Sequence, residues 1–354
     1  MRLLFISKRR PQQRDLASRP YGRFFHIPRA LAELGHDVEL ILIGHTGDVS
    51  QSLLVQDLRV RCMDLRTLGP WGLYRALSAR AAQFRPDWVV GFSDMHFGWL
   101  AQELARRCLA RSAIDAYDNY EAYMPWNLPL RWLWRRSLAT ADLVLAAGPQ
   151  LADKLQRSRP AGRAVEILPM CADSEFEPMD QGVARQMLQL SEGIPLVGYL
   201  GSWGRQRGTN VLLQAFELVR QSRPDARLVL SGRPPTEALD TPGVLAVGYL
   251  PDEQIPTLTN ALSVACVISE ETAFGSYSYP SKLCEAMACS TPVAASSTAP
   301  VKWMLGADSR FTAPLGSPSA LADLILRQLD TGKINYGAQP RWPEIASRFG
   351  SLLR

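Results

Sequence analysis

Two doubly wound α/β domains in tandem are predicted by three observations. Short, all-apolar runs recur at strand length. Each is followed by a stretch with helical periodicity. Near Pro169 and Pro178 this alternation stops, and it then starts again. Alternating strands and helices indicate parallel sheets covered by helices on both faces, which is why the strands lack a polar face.

The elements follow in order. Leu3-Leu4-Phe5-Ile6-Ser7 reads as the first strand, followed by a polar, basic stretch from Lys8 to Pro20. Phe25, Ile27, Leu31, Ala32 and Leu34 then make a helix face that Gly35 stops, and Val38–Ile43 is the next strand. Further along, Trp88–Phe92, Ala113–Ala116, Leu143–Ala147 and Val165–Leu168 read as strands. His96–Cys108, Leu128–Thr140 and Gln150–Gln156 read as helices. The second run has strands at Leu196–Leu200, Leu228–Leu230, Val244–Val247, Ser263–Ile268 and Pro292–Ala295. Helices are expected from Val211 to Val219, near Asp252–Ala261 and at Pro280–Ala288. Doubly wound domains bind ligands at the carboxyl ends of their strands, so two facing domains place the site in a cleft.

The chain has 354 residues, 47% apolar and 21% charged, enough for two cores without disulfides or metals. No apolar run reaches the ~18 residues of a membrane span. The opening MRLLFISKRR turns basic before any apolar stretch attains signal-peptide length. The six cysteines show no CxxC spacing and no nearby His at zinc-finger spacing, which fits reduced thiols in a cytoplasmic protein. Residues 1–170 carry 24 Lys/Arg against 16 Asp/Glu, whereas 171–354 carry 15 against 18. A basic half can meet phosphates on a lipid, a nucleic acid or a carrier. It is also what an Arg-rich composition with 34 Arg and five Lys produces at random. No nucleic-acid-binding module is visible, so a nucleic-acid partner is not expected.

The chemistry narrows at two loops. A dinucleotide dehydrogenase needs G-x-G-x-x-G after a strand; the first strand is followed by KRRPQQR, and the P-loop pattern is absent. After Leu200 comes Gly201-Ser202-Trp203-Gly204-Arg205-Gln206-Arg207-Gly208, with Thr209 or Asn210 placed to cap the next helix. Glycines permit a tight turn, and Arg205 or Arg207 beside a helix start suits an anion such as a diphosphate. The second loop, Phe274–Tyr279, leads into Pro280-Ser281-Lys282-Leu283-Cys284-Glu285. Pro280 suits the first helical position, Lys282 sits at the helix start, and the Glu285 carboxylate can accept two hydrogen bonds from a ribose diol. The plain alternative is a polar turn and solvated first-turn charges.

With these segments the sequence resembles the retaining GT-B glycosyltransferases of family 4, across most of the chain. Arg19-Pro20-Tyr21-Gly22 and the following helix to His36 resemble the family's opening loop and first helix. Leu168–Pro178 resembles its interdomain linker, Gly201–Gly208 its phosphate loop, and Val247–Pro251 the turn that holds the base. Ser281–Pro292 resembles its donor helix, and Trp342 with the last helix resembles the segment that crosses back. The resemblance implies two Rossmann-like domains. An acceptor-binding domain would span 1–170, with 340–354 packing back on it, and a nucleotide-sugar-binding domain would span 171–339. Donor contacts are implied at Gly201, Ser202, Arg207, Gly232, Tyr249, Leu250, Tyr277, Ser281, Lys282, Leu283 and Glu285. Acceptor-side contacts are implied at Arg19, Tyr21, Gly22 and Asp94, the acceptor lying near Arg19–Arg23.

Three departures bear on the site. The family often has a glutamate eight positions before Glu285, where Tyr277 stands; Tyr277, Ser278, Glu270 or Glu271 are the substitutes. The phosphate loop usually offers Arg and Lys, where this chain has Ser202 and Arg207. The family often places a His after the strand at Ala113–Ala116; this stretch has none, so Asp118 is the catalytic candidate and His96 the alternative. No Asp-x-Asp metal signature of the other main transferase fold is present. The resemblance thus implies a metal-independent retaining transfer, without a cofactor, from a UDP- or GDP-linked sugar to a hydroxyl of a glycan, lipid-linked or small-molecule acceptor. Polysaccharide, glycolipid or glycoconjugate assembly is the expected setting. A GT-B-like binding protein without turnover is the alternative. Leu130-Arg131-Trp132-Leu133-Trp134-Arg135-Arg136 joins Trp to Arg and suits peripheral contact with an anionic membrane. It equally suits an amphipathic helix with Trp132 or Trp134 in the core.

Overall fold

The computed structural model describes residues 1–204 and 207–354. The chain divides into two compact units, Met1–Met170 with Pro340–Arg354, and Cys171–Gln339. Among the described residues, no helix is long and apolar enough to cross a membrane.

The strands of the first unit are β1 (Arg2–Lys8), β2 (Asp37–Gly44), β3 (Gln51–Val55), β4 (Leu58–Asp64), β5 (Trp88–Gly91), β6 (Arg111–Ala116), β7 (Leu143–Ala146) and β8 (Val165–Ile167). They form one sheet in the order β3-β4-β2-β1-β5-β6-β7-β8. All pairings are parallel except β3–β4, which is antiparallel. The helices are α1 (Gly22–Glu33), α2 (Leu65–Phe84), α3 (Met95–Cys108), α4 (Leu128–Thr140) and α5 (Pro149–Gln156). Leu3, Leu4, Phe5 and Ile6 have no exposed surface, as a central strand covered on both faces requires. Each such side chain contributes roughly 1.5–3 kcal/mol through burial.

The second unit contains α6 (Gln181–Met187), β9 (Leu196–Tyr199), α7 (Thr209–Ser222), β10 (Arg227–Ser231), α8 (Thr236–Leu239), β11 (Val244–Gly248), α9 (Gln254–Ala261), β12 (Val264–Val267), α10 (Ser281–Ala288), β13 (Val293–Ser296), α11 (Ala299–Met304), β14 (Thr312–Ala313) and α12 (Pro318–Leu329). Its six-stranded sheet has the order β11-β10-β9-β12-β13-β14 with parallel pairings. Leu212, Ala215, Phe216 and Val219 of α7 and Leu321, Leu324 and Ile325 of α12 cover one face. Leu258 of α9 with Leu283 and Met287 of α10 help cover the other. The two-domain, parallel α/β architecture is therefore the one the sequence predicts.

The last helix, α13 (Trp342–Leu352), belongs to the first unit. Trp342 stacks on His26 of α1 with centroids 5.9 Å apart. Phe349 meets Phe5 edge-on at 6.1 Å, and the Trp88 indole N–H donates to the Leu353 carbonyl at 3.0 Å.

Several local expectations need correction. Residues 45–87, left without elements by the sequence pattern, hold the β3–β4 hairpin and α2. The hairpin turns on Gln56 and Asp57, both in the left-handed region. Pro280 is not the first helical residue; it is the extended cap before Ser281. Thr209 and Asn210 do not cap α7 but lie inside it, and the cap is Gly208.

Candidate active site

In the second unit the strand order reverses between β9 and β12. With every pairing parallel, the carboxyl ends of these strands open a crevice at one sheet edge, where such folds bind ligands. The chain leaves β9 through the Gly201–Gly208 loop and enters α7; it leaves β12 through residues 268–280 and enters α10. The two loops singled out in the sequence thus meet at the switch point.

Their approach is close. Gly208 caps α7 with φ +73°, a left-handed conformation costly for a side chain, and a Cβ there would lie 3.6 Å from Glu270 Cγ. Gly275 is required for space: its Cβ would fall 2.1 Å from the Glu270 carbonyl oxygen. The Arg207 guanidinium lies over the Phe274 ring, 4.8 Å from its centroid, so an aromatic face of one loop positions the cation of the other. The Tyr199 hydroxyl donates to the Ser202 carbonyl at 2.8 Å and pins the start of the loop that leaves β9. Burial pushes that phenol up to about 12, so it remains a donor at neutral pH. Arg205 lies outside the described residues.

On α10, Lys282 Nζ donates to Glu285 Oε2 at 2.8 Å. The Glu285 side chain is 13% exposed and that of Lys282 is 42% exposed. Ser281 opens the helix and Tyr277 ends a single 3₁₀ turn, Gly275–Tyr277, just before it. Leu283 is fully buried in the core, so its side chain offers nothing to a ligand there. At the ends of β10 and β11, the Gly232 N–H donates to the Gly248 carbonyl at 2.7 Å. Tyr249 is 76% exposed and the Arg233 guanidinium lies 5.5 Å from its ring centroid. Leu250 packs partly against the core. This end therefore offers a flat aromatic ring beside a cation.

In the first unit the order reverses between β1 and β5. The Ser7 and Ser93 hydroxyls meet there at 2.5 Å. Ser93 holds φ +76°, which costs a non-glycine residue about 1–2 kcal/mol. Asp94 caps α3, accepting from the Met95 N–H at 2.6 Å, and lies 3.7 Å from Nδ1 of exposed His96. Past β6, Asp118 is buried and accepts a 2.7 Å hydrogen bond from the Tyr123 hydroxyl. Burial, and then the charge of Asp118, raise the Tyr123 phenol well above its ordinary range, so it stays protonated. Tyr117 packs edge-on against Tyr120 at 5.6 Å and against Phe24 at 5.0 Å, framing the carboxylate with rings. Tyr21 donates to the Pro11 carbonyl at 2.8 Å and carries the Arg14 guanidinium 4.2 Å above its ring; Gly22 opens α1, and Arg19 is exposed.

Arg23 corrects an expectation. It does not face an acceptor: it is fully buried, bidentate to Asp115 at 2.7 and 2.9 Å, with a third bond to the Leu168 carbonyl. The Trp alternatives resolve one each way, with Trp134 in the core and Trp132 59% exposed. Sequence reasoning missed Phe274, Arg233 and Tyr123. Phe274 opens a segment already singled out, whereas Tyr123 and Arg233 stand outside every such segment, and only the fold shows what they hold. Among the described residues, no group of three His, Cys, Asp or Glu side chains converges as a metal set.

Comparison with known proteins accords with this geometry. Residues 194–331 match the family described as glycosyl transferases group 1, and residues 23–171 match the glycosyl transferase 4-like domain. The chain is 27% identical over 352 residues to a 2-deoxystreptamine glucosyltransferase of Streptomyces kanamyceticus, covering 87% of this chain and 89% of the relative. Its fold is similar to sucrose-phosphate synthase of Thermosynechococcus elongatus, with TM-score 0.79, 19% identity and coverage of 99% and 98%. It is also similar to Anabaena HepE, solved in complex with UDP, with TM-score 0.71, 15% identity and coverage of 99% and 95%. With one family match on each unit, the chain belongs to the GT-B glycosyltransferases and is an enzyme of the transferase class.

Proposed function

We propose that this enzyme moves a sugar from a UDP- or GDP-linked donor to a hydroxyl acceptor, with retention at the anomeric carbon and without a metal ion or cofactor. The observation that carries this reading is the meeting of two glycine-bearing loops at the switch point of the second unit, with Arg207 on one and Lys282 in the first turn of the helix that follows the other. Similar folds point the same way: Anabaena HepE was solved with UDP-glucose, and Arabidopsis thaliana starch synthase IV with ADP and acarbose.

In this reading the starts of α7 and α10 turn backbone N–H groups toward the diphosphate, and Arg207 and Lys282 balance its charge. A diphosphate draws Lys282 away from Glu285, and the freed carboxylate accepts from the ribose diol. Gly201 and Ser202 line the phosphate turn, and Gly232, Tyr249 and Leu250 flank the base. Tyr277 and Ser281 contact the sugar-phosphate end. As the sugar–oxygen bond breaks, preorganised cations stabilise the leaving diphosphate, which is where most of the acceleration arises. The first unit holds the acceptor at the ends of β1, β5 and β6, with Asp118 receiving the hydroxyl's hydrogen bond. Arg19, Tyr21, Gly22, Asp94 and His96 border that site. The acceptor is a glycan, a lipid-linked sugar or a small polyol. Six free thiols support a reducing compartment, hence a cytoplasmic enzyme.

The test is donor turnover without an added acceptor, water serving as a poor one. Purified enzyme is incubated with UDP-, GDP- and TDP-sugars in EDTA, and nucleotide release and the anomer of the freed sugar are followed by NMR. Release from the UDP or GDP donor in EDTA, with the anomer retained, is expected. Inversion, or loss of release in EDTA with recovery in Mg²⁺, contradicts the reading. So does no release with any donor when polyol and lipid-linked acceptors are also supplied.

A further inference from the structure

The helix α4 has two faces of opposite character. Leu130, Trp134, Ser137 and Leu138 recur at i, i+4, i+7 and i+8 and are buried. The opposite stripe, Leu128, Trp132, Arg135 and Arg136, follows the same spacing one face away and is exposed. Trp126, just before the helix, is 75% exposed, Leu128 65% and Trp132 59%. Burying these three side chains would cost nothing in lost hydrogen bonds beyond the indole N–H groups. A single exposed apolar residue needs no explanation, but two indoles and a leucine in one segment do.

The helix itself carries three arginines and no acidic residue. Arg136 stacks on the Trp132 ring at 5.5 Å. Arg135, Arg131 and Lys154 converge on one carboxylate, Glu121, at 2.7, 3.9 and 3.6 Å. The three arginines of α4 outnumber this one carboxylate, and Arg135, Lys154 and Arg131 hold Glu121 ionised despite its burial.

We infer that the outer face of α4, with Trp126, is a docking surface for an anionic lipid bilayer. Indole rings settle at the boundary between headgroups and acyl chains, with the ring buried and the N–H wet. Arginines on the same stripe reach lipid phosphates, each strengthening attachment near an anionic surface. Apolar rings interleaved with an excess of arginines match that boundary in polarity and charge. A soluble acidic partner would satisfy the arginines and leave the indoles without cover. The attachment is interfacial: α4 has 13 residues and its inner face is committed to the core. This inference does not depend on which sugar or nucleotide the enzyme uses.

The test is co-sedimentation of the full chain with vesicles of phosphatidylcholine alone and of phosphatidylcholine mixed equally with phosphatidylglycerol. Binding to the anionic vesicles only, weakened by salt, is expected. The double variant Arg135→Gln/Arg136→Gln should bind about 30-fold more weakly, and Trp132→Ala about tenfold more weakly. Both should keep the wild-type melting temperature and donor turnover. Should Trp132→Ala fail to fold, Trp126→Ser in the preceding loop carries the same expectation. Absence of wild-type binding at low salt overturns the inference, as does binding that the variants leave unchanged. A concentration-dependent dimer that Trp132→Ala dissolves, without vesicle binding, would reassign the stripe to a second copy of the chain.

Discussion

At the carboxyl ends of β9 and β12 the chain carries glycines and cations; past those of β5 and β6 it is aromatic and acidic. Both regions sit at the switch point of a parallel sheet or beside it. In the second unit, glycines let backbone approach backbone, and the side chains left over are Arg207, Lys282 and Glu285. In the first unit, the strand ends are closed by side chains: Arg23 on Asp115, Ser7 on Ser93, Tyr123 on Asp118. One end presents glycines and cations at a crevice; the other holds the carboxylates of Asp94, Asp115 and Asp118 in fixed hydrogen bonds.

The largest effect should come from Asp115→Ala in the first unit, which strands the buried Arg23 cation and costs about 3–5 kcal/mol in urea unfolding. Replacing the pair together, as Arg23→Met with Asp115→Leu, should recover most of that loss. Equal destabilisation in single and double variants would mean that the pair's shape, not its charge, matters. Next, Arg207→Ala and Lys282→Ala should each lower turnover about 10²- to 10³-fold while leaving unfolding near wild type. Near-wild-type rates in both would remove the diphosphate from this end. Gly275→Ala should cost about 1–3 kcal/mol because its Cβ meets the Glu270 carbonyl, and it should weaken donor binding. Tyr123→Phe removes one hydrogen bond to Asp118 and should lower turnover up to about tenfold with the donor KM unchanged. A raised donor KM would move Asp118 out of the acceptor's surroundings.

The smallest effect concerns a surface carboxylate. A hydrogen bond from Arg106 holds Glu103 at about 2, below its ordinary 4.5, and bonds from Tyr74 and Arg107 add to it. The folded state therefore binds this proton less readily than the unfolded chain. The contribution is fully present above about pH 4.5 and is lost as pH falls toward 2. Glu103→Gln should flatten that part of the stability profile.

The two regions also differ in how far sequence reaches. The two loops that meet at the second unit's switch point were legible because glycines and cations stand at a strand-to-helix turn. Asp118 was legible only as a substitute, since Tyr123 reaches it through a 3₁₀ turn that no periodicity announces. Nothing in the sequence announces the buried Arg23–Asp115 pair, because an arginine beside Gly22 looks like a surface residue. The β3–β4 hairpin was hidden by its Gln56-Asp57 turn, which lacks the usual Asn-Gly or Asp-Gly signal. Even so, Leu58, Val60 and Cys62 alternate with Arg59 and Arg61, as a strand with one buried face should. In α2, the break at Gly69 and Pro70 masked the buried series Leu73, Leu77, Ala81 and Phe84.

The central claim, that the second unit's strand ends hold the nucleoside diphosphate, is tested most directly by calorimetric titration of UDP and GDP. Wild type, Glu285→Ala and Asp118→Asn would be compared. The account predicts binding of one nucleotide, weakened at least about tenfold by Glu285→Ala and unchanged by Asp118→Asn. Equal binding in wild type and Glu285→Ala, or loss in Asp118→Asn alone, would contradict it.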